Sequence, residues 1–330
     1  MSVPDKFPAF RIHNDDNGHR SGIEDVSIDD LSPGEIVIRS AYSSVNYKDA
    51  LAGSGQGKIL RRLPLVGGID VAGHVAASHD ERFREGDAVL VTGCGLSETR
   101  DGGYSQYARL ESRWAIPLPS GLSLREAMIL GTAGFTAALA LYRMLDNRQV
   151  PDLGPLCVTG ATGGVGSLAV DIFSRAGFEV HAVSGKPAQA DYLRTIGASA
   201  VLGRDALATT RPMESARFGG GLDNVGGPML ASLLAQTAPY GNVASAGLAA
   251  SAALDATVMP FIIRGVSLLG VASGGTARDI REDIWRHLAS DWKPAHLERI
   301  CTREVTMAEL PGVFEGMLAG GSVGRTLVRL

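Results

Sequence analysis

Residues 156–177 read L-C-V-T-G-A-T-G-G-V-G-S-L-A-V-D-I-F-S-R-A-G, and this stretch decides the fold. An apolar run, Leu156, Cys157 and Val158, stops at Gly160. Glycines follow at 163, 164 and 166. Apolar residues then recur at Val165, Leu168, Ala169, Ile172, Phe173 and Ala176, the stripe of a helix buried on one side, and Gly177 stands where such a helix stops. The unit is therefore strand, glycine turn, helix. A pyrophosphate approaches the backbone closely only where Cβ is missing, and there it meets the free N–H groups and positive end of a helix. Against G-x-G-x-x-G, the run 161–166 carries Ala161 in the first glycine place. A glycine-rich turn of any α/β protein is the competing reading. The strand before and the helix after supply the context that dinucleotide binding requires.

The next strand chooses the dinucleotide. Residues 178–183 (F-E-V-H-A-V) read as strand two, ending in Ser184-Gly185-Lys186. NAD-binding chains place an acid there to hold the ribose 2′-hydroxyl. Here a hydroxyl and a cation replace it, which suits a 2′-phosphate that an acid would repel. The expected cofactor is NADPH. Arg204, beyond strand three at 200–202, is a candidate second cation, since a guanidinium matches phosphate well.

The chain has 330 residues, 45% hydrophobic and 20% charged, enough for two globular domains. A net charge of -4 argues against a nucleic-acid partner. Cys94, Cys157 and Cys301 are far apart and form neither a disulfide framework nor a zinc pattern. His74, His181 and His287 have no partner at metal spacing. The first residues lack the basic-then-apolar order of a signal peptide, and no apolar run looks long enough to span a bilayer, so a cytoplasmic location and no membrane partner are expected.

Residues 1–122 read as short strands separated by Gly and Pro turns, for example 35–42, 83–92 and 114–119, as in an antiparallel, partly closed barrel. At Ser123-Leu124-Arg125-Glu126 a capping box opens a helical stretch, and 136–145 is almost wholly apolar. Apolar strands then alternate with helices: 200–202, 221–225, 242–246 and 266–272. That alternation implies a doubly wound parallel sheet with both faces covered. From about 275 the pattern ends, and 324–330 reads as a last strand rejoining the first domain. The expected domains are 1–125, 126–274 and a return segment 275–330. The edge strand 266–272 is expected to pair with a second copy in a homodimer.

A β-rich domain, a nucleotide-binding domain and a return segment, in that order, resemble the medium-chain dehydrogenase/reductase superfamily. Several stretches look closer to its YhdH/YhfP-type quinone oxidoreductase branch, which includes bacterial NADPH-dependent acrylyl-CoA reductases. They are S-S-V-N-Y-K-D-A-L-A (43–52), P-L-V-G-G-I-D-V-A-G (64–73), I-L-G-T-A-G-F-T-A (129–137), V-S-G-K (183–186), T-V-M-P-F-I-I-R (257–264) and G-R-T-L-V (324–328), besides the glycine loop. The resemblance implies an α/β chain with a GroES-like catalytic domain and a Rossmann cofactor domain. In the superfamily's alcohol dehydrogenases, two cysteines and a histidine hold a catalytic zinc. The matching places here are Asn46, Ile69 followed by Asp70, and Gly131, which supply no thiolate or imidazole. A zinc-free branch is implied.

The resemblance also implies residue roles. Tyr47 lies at the nicotinamide end of the cofactor and is a candidate proton donor; packing alone is the other reading. Asn46 is a candidate oxyanion donor, or a turn stabiliser. Lys48 and Asp49 read as a solvated cation and a cap. Thr162, Gly163, Gly164 and Val165 are expected at the pyrophosphate, and Ser184, Gly185, Lys186 and Arg204 at the 2′-phosphate. Leu248, Ile262, Ser273 and Arg325 are expected near ribose and nicotinamide. Lys58, Arg61 and Arg62 form a basic cluster, read either as a solvated face or as a partner for coenzyme A phosphates. The implied activity is reduction of acryloyl-CoA to propanoyl-CoA by NADPH without a metal. The alternatives are a broad quinone or enone reductase and a non-enzymatic NADPH-binding protein.

Overall fold

The computed structural model describes residues 3–16 and 18–330. The chain divides into two compact units. The first runs to Thr132 and takes up Gly274–Asp283 and Cys301–Leu330; the second is Ala133–Ser273 with Ile284–Ile300. The division therefore lies a few residues past the expected 125/126, and the expected return segment 275–330 is split. Side chains explain the split. Trp285 stacks on Phe135 with ring centroids 6.3 Å apart, and the buried Asp171 carboxylate accepts from the backbone N–H groups of Ala295 and His296 at 3.1 and 2.8 Å.

The first unit opens with β1 (Phe7–Asp15) and β2 (Gly18–Val26), an antiparallel hairpin. Then come β3 (Ile36–Ser44), α1 (Tyr47–Ser54), β4 (Leu65–Val66), β5 (Asp70–Ser78), β6 (Ala88–Thr92), β7 (Tyr107–Leu110) and β8 (Ile116–Pro117). The pairings among β3, β5, β6, β7 and β8 are all antiparallel.

The helix α2 (Leu124–Asp146) passes from the first unit into the second. Its start is capped as expected: Ser123 N–H donates to Glu126 Oε2 at 2.8 Å, and Glu126 N–H donates to Ser123 Oγ at 3.2 Å. Gly131, at φ 50° and ψ -155°, interrupts it. By length and composition α2 is apolar enough to cross a membrane, which corrects the expectation that no run would be. Most of it is buried inside the protein, as befits a core helix.

The second unit then alternates: β9 (Leu156–Thr159), α3 (Gly164–Arg175), β10 (Val180–Val183), α4 (Ala190–Thr195), β11 (Ala200–Leu202), β12 (Phe218–Asp223), α5 (Gly227–Ala235), β13 (Thr237–Ser245), α6 (Met259–Arg264) and β14 (Ser267–Gly270), followed by α7 (Arg278–Leu288) and α8 (Leu297–Ile300). Its sheet is wholly parallel in the order β11-β10-β9-β12-β13-β14. Winding goes outward one way from β9 and then the other from β12. The crevice at the carboxyl ends of β9 and β12 is thus the switch point where such sheets take ligands. β12 begins at Phe218, not 221, because its glycines sit in a crowded sheet: a Cβ at Gly221 would lie 2.3 Å from the Cys157 carbonyl oxygen.

The chain returns through β15 (Cys301–Val305), α9 (Leu310–Leu318) and β16 (Arg325–Arg329). β16 pairs with β3 and β15, closing a seven-stranded sheet in the first unit, where the last strand was expected. Phe10 meets Tyr104 and Phe314 edge-on at 6.3 and 5.9 Å, which ties β1 and α9 into one core.

Candidate active site

In the second unit, Gly160 ends β9 at φ +60°. Gly166 lies in the first turn of α3, where a Cβ would stand 2.3 Å from the Gly160 carbonyl oxygen. Only glycine lets the helix start this close to the strand. No side chain caps the start of α3, and Gly163, Gly164 and Val165 are half-buried there, beside buried Thr162. These backbone groups suit an anion. Across the switch point, Asn224 donates its Nδ2 to the Thr159 carbonyl at 2.8 Å. Asp223 accepts from Thr159 Oγ1 at 2.7 Å and from Gly226 N–H at 2.6 Å, and burial raises its pKa.

At the end of β10, Ser184 Oγ accepts from the Lys186 backbone N–H at 3.0 Å. The Arg204 guanidinium lies over Gly185 so closely that a Cβ there would be 2.5 Å from its Nε. Lys186 has its pKa lowered, first by burial and then by the charge of Arg204. Two cations thus crowd the strand end where an acid would otherwise select NAD, and an arriving phosphate relieves their repulsion. The loop and this pair fit a phosphorylated dinucleotide. Leu248, 66% exposed, lies beyond the end of β13, Ile262, 75% exposed, lies within α6, and half-buried Ser273 lies beyond the end of β14.

The first unit holds a second constellation at the start of α1. Asp70, fully buried, accepts from Ser44 Oγ at 2.6 Å, Asn46 Nδ2 at 2.8 Å, Thr132 Oγ1 at 2.6 Å and Thr132 N–H at 3.0 Å. Arg325, 3% exposed, donates Nε to Ile129 O at 2.9 Å, Nη1 to Val45 O and Asn46 Oδ1 at 3.0 and 3.1 Å, and Nη2 to Ser44 Oγ at 2.7 Å; Asp70 Oδ2 stands 4.0 Å from Nη2. Gly131 makes room: a Cβ there would lie 2.6 Å from Asp70 Oδ2 and from Ser44 Oγ, and 2.9 Å from Arg325 Nη2. Asp49, also buried, accepts from the Asn46 and Ile69 N–H groups at 2.8 and 2.9 Å. Burial, and next the charge of Asp70, push its carboxyl up to about 7. Asp70 thus has the buried guanidinium beside it, and the second acid, Asp49, holds its proton toward neutral pH.

The Asn46 amide donates to Asp70 and Asp49 and accepts from Arg325, the contacts of a residue that stabilises the turn. Arg325 places its donors on backbone and side-chain oxygens of its own unit, which ties β16 to the start of α1. Asp49 takes part in the cap of α1, as its side chain accepts from the Asn46 N–H in a capping box. Lys48 pairs with Glu98. Tyr47 and Lys48 are the exposed residues at the start of α1, and Tyr47, 51% exposed, is the one that could act as an acid.

A catalytic zinc does not fit. Asn46 is spent, Ile69 is apolar and 4% exposed, and Gly131 has no side chain. Among the described residues no cluster of three or more His, Cys, Asp or Glu suits a metal.

Comparison with known proteins places these observations. Residues 32–120 match the alcohol dehydrogenase GroES-like domain family, and 164–290 match the family described as zinc-binding dehydrogenase. YhfP of Bacillus subtilis, named as a quinone oxidoreductase, is 45% identical over 326 residues, covering 98% of this chain and 99% of the relative. Its crystal structure with NAD bound aligns with a TM-score of 0.96 at 42% identity, over 99% of this chain and all of that one. Acrylyl-CoA reductase AcuI of Ruegeria pomeroyi is 43% identical over 326 residues, 98% of each chain. The yhdH oxidoreductase of Salmonella enterica, solved in complex with NADP, aligns with a TM-score of 0.94 at 41% identity, over 98% of this chain and 99% of that one. The chain belongs to the medium-chain dehydrogenase/reductase superfamily, with a GroES-like and a Rossmann unit, among relatives of the YhdH, YhfP and AcuI type.

Proposed function

We propose that the protein is an NADPH-dependent reductase of the activated C=C bond of a short α,β-unsaturated acyl-CoA, converting acryloyl-CoA to propanoyl-CoA. The observation that carries the cofactor choice is the Lys186–Arg204 pair at a strand end without a carboxylate. The NADP-bound yhdH relative supports it, and the NAD-bound YhfP makes the preference a question worth measuring. Thr162, Gly163, Gly164 and Val165 hold the pyrophosphate, and Ser184, Gly185, Lys186 and Arg204 the 2′-phosphate. Leu248, Ile262 and Ser273 line the ribose and nicotinamide side.

When bound, the reduced nicotinamide supplies a hydride to the β-carbon of the substrate. The residues of the first unit need no Lewis acid for this, because the thioester carbonyl already delocalises the charge that develops. Tyr47, held outward by the braced start of α1, donates the proton to the α-carbon. The substrate assignment follows the AcuI relative; YhfP favours a quinone as the second reading. Steady-state NADPH oxidation with acryloyl-CoA and with a benzoquinone decides between them. A far higher kcat/KM on the quinone overturns the assignment.

The edge strand β14, with Leu268, Ile262 and Ile263 exposed on or before it, is proposed to pair with the same strand of a second copy. Gel filtration giving a stable monomer refutes that pairing.

A further inference from the structure

We infer that the segment 56–64 after α1 is a phosphate subsite for the coenzyme A tail of the substrate, made by Lys58, Arg61 and Arg62. The inference rests on the acyl-CoA reading above and assigns residues to it. The three side chains are exposed, and among the described residues none has a carboxylate or hydrogen-bond partner. What sets them apart is that the three stand within five residues of one another. Acids outnumber Lys and Arg by 35 to 31, and many of the exposed arginines are paired, as Arg20 is with Asp15, Arg82 with Asp80 and Arg194 with Asp191. An unbalanced cluster on an acidic protein raises the local potential and attracts a multiply charged anion.

The segment is also anchored, which a merely solvated basic loop need not be. Ile59 and Leu60 pack against the core that includes Phe10, Tyr104 and Phe314, and Gln56 N–H donates back to the Leu51 carbonyl of α1 at 3.1 Å. Arg61 N–H donates to the Glu98 carbonyl at 2.7 Å, and the Glu98 carboxylate is taken by Lys48, the neighbour of Tyr47. The Glu98 carboxylate is therefore paired with Lys48, and the backbone at Arg61 is tied to the same residue. The 2′-phosphate of the cofactor has its own cations in the second unit and does not compete for these.

The test uses the full-length protein at saturating NADPH with two substrates, acryloyl-CoA and acryloyl-pantetheine, which lacks the nucleotide and its phosphates. In the wild type the CoA thioester has the lower KM, and added salt raises it. The triple variant Lys58→Ala, Arg61→Ala, Arg62→Ala raises KM for acryloyl-CoA about tenfold, with kcat and the acryloyl-pantetheine KM within twofold of wild type. Adenosine 3′,5′-bisphosphate inhibits the wild type competitively against acryloyl-CoA, an arm that involves no variant. Equal KM values for the two thioesters in the wild type, or no inhibition by the bisphosphate, overturn the subsite while leaving thioester reduction standing. Turnover of a quinone with neither thioester reduced overturns the reductase reading and the subsite with it.

Discussion

Replacing Arg325 by methionine is the sharpest test of the brace beneath α1. The side chain is 3% exposed, so the charge cannot be replaced by water without opening the first unit. Its removal orphans the oxygens of Ile129, Val45, Asn46 and Ser44 and leaves Asp70 without its cation. Breaking a buried pair by removing one partner costs roughly 3–5 kcal/mol. Asp70 keeps donors from Ser44, Asn46 and Thr132, and the methionine refills part of the space, so we take about 4 kcal/mol, the middle of the range. With a urea m-value of about 2 kcal/mol/M for the first unit, its midpoint falls by about 2 M. The assay is urea denaturation fitted with a separate transition for each unit, since a two-unit chain need not unfold in one step. Arg325→Lys recovers little, because one ammonium cannot span acceptors disposed for a planar fork. Adding Asp70→Asn to Arg325→Met restores part of the loss, with a coupling of about 1–3 kcal/mol. A single variant within 1 kcal/mol of wild type, or strict additivity of the pair, refutes the reasoning.

Three further outcomes are expected. Because the Asp49 carboxyl is raised to about 7, the folded protein holds that proton more tightly than the unfolded chain. Its contribution is complete below about pH 4 and lost as pH rises through 7, a slope of up to about 1.4 kcal/mol per unit. Asp49→Asn flattens stability between pH 4 and 7 relative to wild type, and an unchanged slope counts against the assignment. Lys186→Ala with Ser184→Asp raises the KM for NADPH at least about tenfold while sparing NADH; an unaltered NADPH/NADH ratio removes both residues from the 2′-phosphate site. Tyr47→Phe lowers kcat on acryloyl-CoA about 100-fold or more with little change in the KM for NADPH, as loss of a general acid should, whereas a drop under threefold leaves Tyr47 as packing only.

The second unit was legible because its information is local. The glycine loop, its flanking strand and helix, and the residues ending strand two all lie within 156–186, and the structure arranges them as expected. The start of β12 was hidden because three consecutive glycines look like a loop until the neighbouring strands show why nothing larger fits. The first unit was harder. β5 begins at a buried aspartate and contains Gly73 and His74, so neither hydrophobic alternation nor β-propensity announces it. The β1–β2 hairpin has a solvated, polar second strand. The roles of Asn46 and Arg325 were out of reach, since the acceptors of Arg325 lie 196 to 281 residues away in the chain. Only the return of β16 to β3 brings them together.

The bend at Gly131 bears on how such a protein can change its chemistry. A thiol introduced at 131, as a metal-binding cousin would require, needs a Cβ in space held by Asp70, Ser44 and Arg325. Evicting the guanidinium first strands Asp70; adding the cysteine first drives side chains into contact. Either opening move spends much of the roughly 5–15 kcal/mol that separates a typical domain from unfolding. In this chain a metal ligand at 131 therefore comes at a cost when introduced alone, and an engineer would exchange 46, 69, 131 and 325 together.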